Sequence, residues 1–206
     1  MKKTESGRAP GRPKHPGPSV SIRDTVLAEA SRMFMEHGFA HVSLNQIAEK
    51  AGVTKASVYY YFPNKADLFT AAVTEMMKRI AAVSSRILAG EESLSERLET
   101  IAKANMAASH GEFETMMREA LPSLSESQQE EIRQAEHGIH KVLADCFARA
   151  IEDGELAPGL GPMLLAYSFS AMMRVGNREA HFIGVSEEEL PRRIVELFWN
   201  GAGRRG

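Results

Sequence analysis

"SLNQIAEKAGVTKASVYYYFPNKADLF", residues 43–69, holds three helix starts in a row. Ser43 followed by Gln46 is a capping box for a first short helix, with Leu44, Ile47, Ala48 and Ala51 on its inner face and Gly52 at its end. Thr54 caps a second, running through Lys55 and the three tyrosines until Pro63, because the residue before a proline disfavours the helical region. Asn64 with Asp67 caps a third and longer one, whose apolar stripe reads Leu68, Phe69, Ala72, Val73, Met76 and Ile80. Two short helices across a tight glycine-containing turn make a helix-turn-helix.

The tyrosines say which way the second helix faces. Val58 and Phe62 lie four apart and share the inner face. Relative to Val58, Tyr59 and Tyr60 fall at about 100° and 200°, toward solvent, and Tyr61 at about 300°, on the margin of the core. Lys55 and Ala56 join the exposed side. A helix entering the major groove presents its N-terminal residues to base edges; there lysine donates to guanine, and a tyrosine ring meets a thymine methyl or gives its hydroxyl to phosphate.

Working outward, Ser21 with Asp24 caps another helix, in which Ile22, Val26, Leu27, Ala30, Met33 and Phe34 recur at helical spacing up to Gly38. Downstream, helical stretches are expected at 93–109, 112–121, 125–152, 160–182 and 187–199. No strand alternation or internal repeat interrupts them, so the chain reads as all-α. Residues 1–18 are rich in proline, glycine and basic residues and read as a flexible arm. Expected units are therefore this arm, a DNA-binding helix-turn-helix domain over 19–68, and a helical domain over 69–206, joined by the long fourth helix.

Charge divides along the same line. Residues 1–68 carry ten Lys/Arg against six Asp/Glu, a net of +4, while residues 69–206 carry 15 against 21, a net of −6. A basic front end suits a polyanion. Cys146 is the only cysteine, which fits a reducing, cytoplasmic setting, and neither a membrane-spanning run nor a signal peptide is expected. His137 and His140 have a chelating spacing, but Cys146 lies about 180° round from His137 on the same helix, so no metal site is expected. Without a phosphate-binding glycine loop or a nucleophile elbow, an enzyme is not expected either, and no cofactor is called for.

The stretch "AEASRMFMEHGFAHVSLNQIAEKAGVTKASVYYYFPNKADLF" resembles the DNA-binding region of the TetR (tetracycline-repressor-like) family of bacterial transcription regulators. By position, the resemblance implies that Asn45, Lys55, Ala56 and Tyr59 face base edges, and that Ser43, Ser57, Tyr60 and Lys65 hold phosphates. "GRPK" at 11–14 resembles the core of minor-groove AT-hook motifs, placing Arg12 in an A·T-rich minor groove.

The same resemblance implies a homodimer built on the last two helices. Leu165, Ser168, Phe169, Met172, Met173 and Gly176 on one, with Leu190, Ile194, Leu197 and Phe198 on the other, supply its surface. It also implies a small, apolar effector among the middle helices, for which Met106, Phe113, Met116, Met117, Phe147 and Tyr167 are candidate lining because methionine and aromatic side chains adapt to apolar ligands. The favoured function is a ligand-responsive repressor binding a palindromic operator as a dimer. The alternative is a helical small-molecule-binding or interaction protein without operator binding.

Overall fold

A computed structural model describes residues 21–107, 110–174, 182 and 184–202. The arm with Arg12, and Gly176 of the expected dimer surface, lie outside them. Among the described residues the regular structure is helical: α1 (Ile22–His37), α2 (Leu44–Lys50), α3 (Lys55–Tyr61), α4 (Lys65–Leu88), α5 (Leu94–Met106), α6 (His110–Ala120), a 3-10 turn at Leu121–Ser123, α7 (Glu126–Glu152), α8 (Pro162–Arg174) and α9 (Leu190–Ala202).

Local chemistry sets these boundaries. Ser21 Oγ accepts from Asp24 N at the start of α1, and Gly38 ends the helix at φ 77°, with its N–H on Phe34 O. Ser43 and Gln46 form the full reciprocal capping box of α2. Thr54 caps α3 through Ser57 N, and Asn64 caps α4 through Asp67 N. Between α2 and α3 the chain turns at Gly52, whose φ of 66° favours glycine. The last helix begins near 190 rather than 187 and runs on to 202, past the expected end at 199. Pro191 explains the start, since a proline is tolerated in the first turn of a helix and not within it.

Two hydrophobic cores share the long helices. The first holds Val26, Leu27, Phe34, Ile47, Val58, Phe62, Leu68, Phe69 and Met77, and is closed by Met116 and Ala120 of α6 and by Leu124 and Ile132 at the start of α7. It therefore does not stop at Leu68. Three phenylalanines form its centre: Phe69 sits edge-on to Phe34 and Phe39, with ring centroids 5.1 and 5.0 Å away. Ser31 Oγ also donates to Ala72 O across the α1–α4 contact.

The second core gathers the end of α4, α5, the second half of α7, α8 and α9 around Phe147, Phe169 and Phe198. On α4 the buried stripe runs through Val73, Met77, Ser84 and Leu88, whereas Met76 is only half-buried and Ile80 is exposed. The inner face drifts round the helix as α4 passes from one core to the other.

This packing revises the expected dimer surface. Leu165, Phe169, Met173, Leu190, Ile194 and Phe198 are all buried inside the protomer, and Met172 packs on the same core. Of the residues named, Leu197 (67% exposed) and Ser168 face outward. The most apolar stripe of each helix fills its own core first, and the outward flank of α8 carries Leu164 (60% exposed) with Ser168 and Ala171 instead.

The candidate effector residues are likewise divided. Phe113, Met116 and Met117 belong to the first core, Met106 and Phe147 to the second, and Tyr167 is half-exposed on α8. Apolar surface does remain on α4, where Ile80 and Val83 are exposed between Met77 of the first core and Leu88 of the second.

Candidate nucleic-acid interface

On α3, Val58 and Phe62 are sealed in the first core, which turns the opposite side of the helix to solvent. Lys55 and Ala56 are exposed, and Tyr59, Tyr60 and Tyr61 are 49%, 81% and 40% exposed. Tyr61 is more open than a core-margin position implies: its ring lies edge-on to Tyr60, with centroids 5.0 Å apart, and tilted against core Phe62 at 6.3 Å. Asn45 is exposed in the first turn of α2. A concavity between α2 and α3 is lined by Asn45, Gln46, Glu49, Val53, Thr54 and Lys55, so the two short helices present one continuous surface. Gln46, Glu49 and Thr54 were not foreseen there, although their places on the cap and outer face of α2 and at the cap of α3 mark them.

The expected phosphate-contacting residues differ in how free they are. Tyr60 is open. Ser57 is half-buried, with its hydroxyl 2.8 Å from Thr54 Oγ1. Ser43 gives both its N–H and its O–H to Gln46 Oε1, each at 2.8 Å, so a phosphate would have to displace the capping box to receive its hydroxyl.

Lys65, half-buried, donates from Nζ to Ala40 O at 3.2 Å and stands 4.3 Å above the centre of the Phe39 ring. Burial pulls its ammonium below the ordinary lysine range, and the Glu119 carboxylate opposes that shift. An ammonium has three donors, so one bond to Ala40 leaves capacity for an anion. Arg23, at the start of α1 and 5.9 Å over the Phe62 ring, adds a cation to the same end of the molecule.

The sequence profile described as "Bacterial regulatory proteins, tetR family" matches residues 26–72, which span α1, the helix-turn-helix and the first turns of α4. Residues 26–72 are a TetR-family DNA-binding region. Among its relatives, the transcriptional repressor KstR of Mycolicibacterium smegmatis is 31% identical over 136 residues, covering 65% of this chain and 63% of that protein. Three mycobacterial transcriptional regulators match this chain over 70 residues, about a third (35%) of their own length. In fold, it is similar to reduced NemR of E. coli (TM-score 0.75, 18% identity, 90% of this chain and 100% of that one). It is also similar to FadR of Bacillus subtilis in complex with stearoyl-CoA (TM-score 0.68, 19% identity, 86% and 97%).

Away from this surface, α7 and α8 meet through histidines. His140 is buried and stacked on Tyr167, with centroids 4.0 Å apart and planes 16° from parallel, and its Nδ1 lies 3.1 Å from Glu136 O. His137 Nδ1 is 3.3 Å from the Tyr167 hydroxyl. Among the described residues, no group of three or more His, Cys, Asp or Glu is placed to hold a metal ion.

Burial holds His140 below the usual histidine range; its bond to the Glu136 carbonyl opposes this, and nearby Arg174 and His137 add to it. A histidine depressed in the folded state contributes stability above its unfolded value of about 6.5, and that stability is lost as pH falls through the folded value. His140→Phe keeps a stacking ring and removes the titration. The melting temperature of the wild type should therefore fall more than that of His140→Phe between pH 7 and 5, and parallel curves would contradict this.

Proposed function

We propose that this chain is a DNA-binding transcription regulator acting as a repressor: a homodimer holds a palindromic operator and a small apolar molecule releases it. One observation carries the reading. The buried side of α3 is fully used by the fold, while Lys55, Ala56, Tyr59 and Tyr60 stand in solvent with no role in the core. Lys55 and Tyr59 would read base edges with Asn45 and Ala56, while Tyr60, Ser57, Ser43 and Lys65 would hold the backbone and set the register.

One such helix reads only a few base pairs, so selectivity requires two, about one turn of DNA apart, related by the dimer axis. Leu164 on α8 and Leu197 on α9 are exposed apolar anchors for that axis. A cytoplasmic site of action follows from the DNA target, and no helix among the described residues is long and apolar enough to cross a membrane. For the effector, exposed Ile80 and Val83 on α4 favour an apolar ligand, as does the long-chain acyl thioester in the FadR complex. Release would be a population shift: the ligand prefers the dimer in which α4 has moved and the two α3 helices no longer match successive grooves.

Selection of duplexes from a random-sequence pool, followed by gel shift at two salt concentrations, tests the function. Enrichment of a two-fold symmetric site supports a regulator, and equal weak binding to every duplex favours a small-molecule-binding or interaction protein. Tyr59→Ala should cost about 1–3 kcal/mol on the selected duplex and little on unselected DNA. Lys65→Ala should weaken both and flatten the salt slope by about one unit. The opposite pattern would exchange their assigned roles.

A further inference from the structure

Gln128, in the first turn of α7, joins two helix starts that lie 61 residues apart in the chain. Its Oε1 accepts from Ser125 N at 2.9 Å and so closes the capping box of α7. Its Nε2 donates to Asp67 Oδ1 at 2.8 Å. Asp67 in turn accepts from Asn64 Nδ2 on its other oxygen, and its N–H donates to Asn64 Oδ1, which is the cap of α4. Only Phe62 and Pro63 separate that cap from α3. One amide thus serves both caps, its oxygen on α7 and its nitrogen on α4.

The contact is embedded rather than incidental. Gln128 and Asp67 are both half-buried, and Leu124 and Ile132 on either side of Gln128 are buried in the first core. A second polar hook lies on α6, where Glu119 Oε2 accepts from Ala40 N at 3.2 Å while the carbonyl of the same residue receives Lys65. Gly38 beside it leaves the room, since a Cβ there would stand 2.8 Å from the Glu119 oxygen. Attachment at two separated points fixes orientation as well as proximity.

We infer that Gln128 is a positioning residue for DNA recognition: by holding the Asn64–Asp67 cap, it sets the angle at which α3 leaves the body of the protein. This rests on the regulator reading above. Any displacement of the α7 start then reaches α3 through a hydrogen bond that ordinary core packing does not supply. Loss of the bond leaves α3 folded but free to sample angles that do not fit the groove.

Gln128→Glu isolates the bond, because glutamate at this position still closes the capping box but presents a carboxylate to Asp67 in place of a donor. Asp67→Asn combined with Gln128→Glu restores it with the roles exchanged, and the net charge equals that of the wild type. With the full chain and the duplex enriched by the wild type, Gln128→Glu is expected to bind roughly tenfold more weakly, and the double variant to return within about threefold. Unchanged binding by Gln128→Glu, or a double variant no better than the single one, overturns the inference.

Hydrogen exchange of the amides of residues 65–68, measured without DNA, is expected to quicken in Gln128→Glu and to recover in the double variant. Unaltered exchange also overturns the inference, whatever the DNA result. If the wild type enriches no duplex, the regulator reading fails and the inferred DNA role falls with it, while the exchange arm still decides whether the cap is held by Gln128.

Discussion

Leu197→Glu is expected to sediment as a monomer of 22.7 kDa and to lose at least about a hundredfold in affinity for a two-fold symmetric duplex. Leu197 is 67% exposed on α9, between Arg193 and Glu196 on one side and Asn200 on the other, while its neighbours Ile194 and Phe198 are buried. The inner face of α9 is therefore satisfied without it, and removing it opens no cavity in the protomer. A stable interface buries about 800 Å² per partner, and large apolar side chains at its centre carry most of the energy.

In a two-fold interface the same patch meets itself, so one substitution introduces two carboxylates into the contact. Binding to unselected DNA should change little, because each protomer keeps its own cations. Leu164→Glu on α8 should act in the same direction. A Leu197→Glu protein that remains dimeric and retains site selectivity would place the interface elsewhere.

What could be read in the sequence was what local chemistry decides. Ser43 with Gln46, Gly52, Thr54, and Asn64 with Asp67 mark helix ends through bonds that span three residues or through backbone angles, and each is found where the residues place it. The outward side of α3 was equally legible, because Val58 and Phe62 fix the rotation of so short a helix.

The faces of α8 and α9 were not legible. Core and interface stripes have the same 3.6-residue period, and Leu165 differs from Leu164 by one position and nothing else in kind. The methionines and phenylalanines of the middle helices show a related limit: two cores draw on them, and only tertiary packing divides Phe113 and Met116 from Met106 and Phe147. Lys65 and Gln128 show a third limit. Their partners lie 25 and 61 residues away, beyond any pattern read along a single helix.

Phe69→Ala is expected to destabilise the fold by about 3–5 kcal/mol, the cost of removing a fully buried phenylalanine and leaving a cavity. At about 2–4 °C per kcal/mol for a chain of this size, the melting temperature should drop by roughly 6–20 °C. Phe69 is 0% exposed, and both Phe34 of α1 and Phe39 of the α1–α2 turn rest against its ring. Its loss therefore reaches the turn whose Phe39 and Ala40 hold the Lys65 ammonium, and DNA affinity should fall at temperatures where the protein is still folded. Phe69→Leu, which keeps most of the volume, should cost less than half as much. Because α4 and α7 contribute buried residues to both cores, unfolding of the variant should remain a single calorimetric transition. Two resolved transitions, with α1–α3 melting first, would show that the first core is stabilised separately from the second and that the long helices do not couple them.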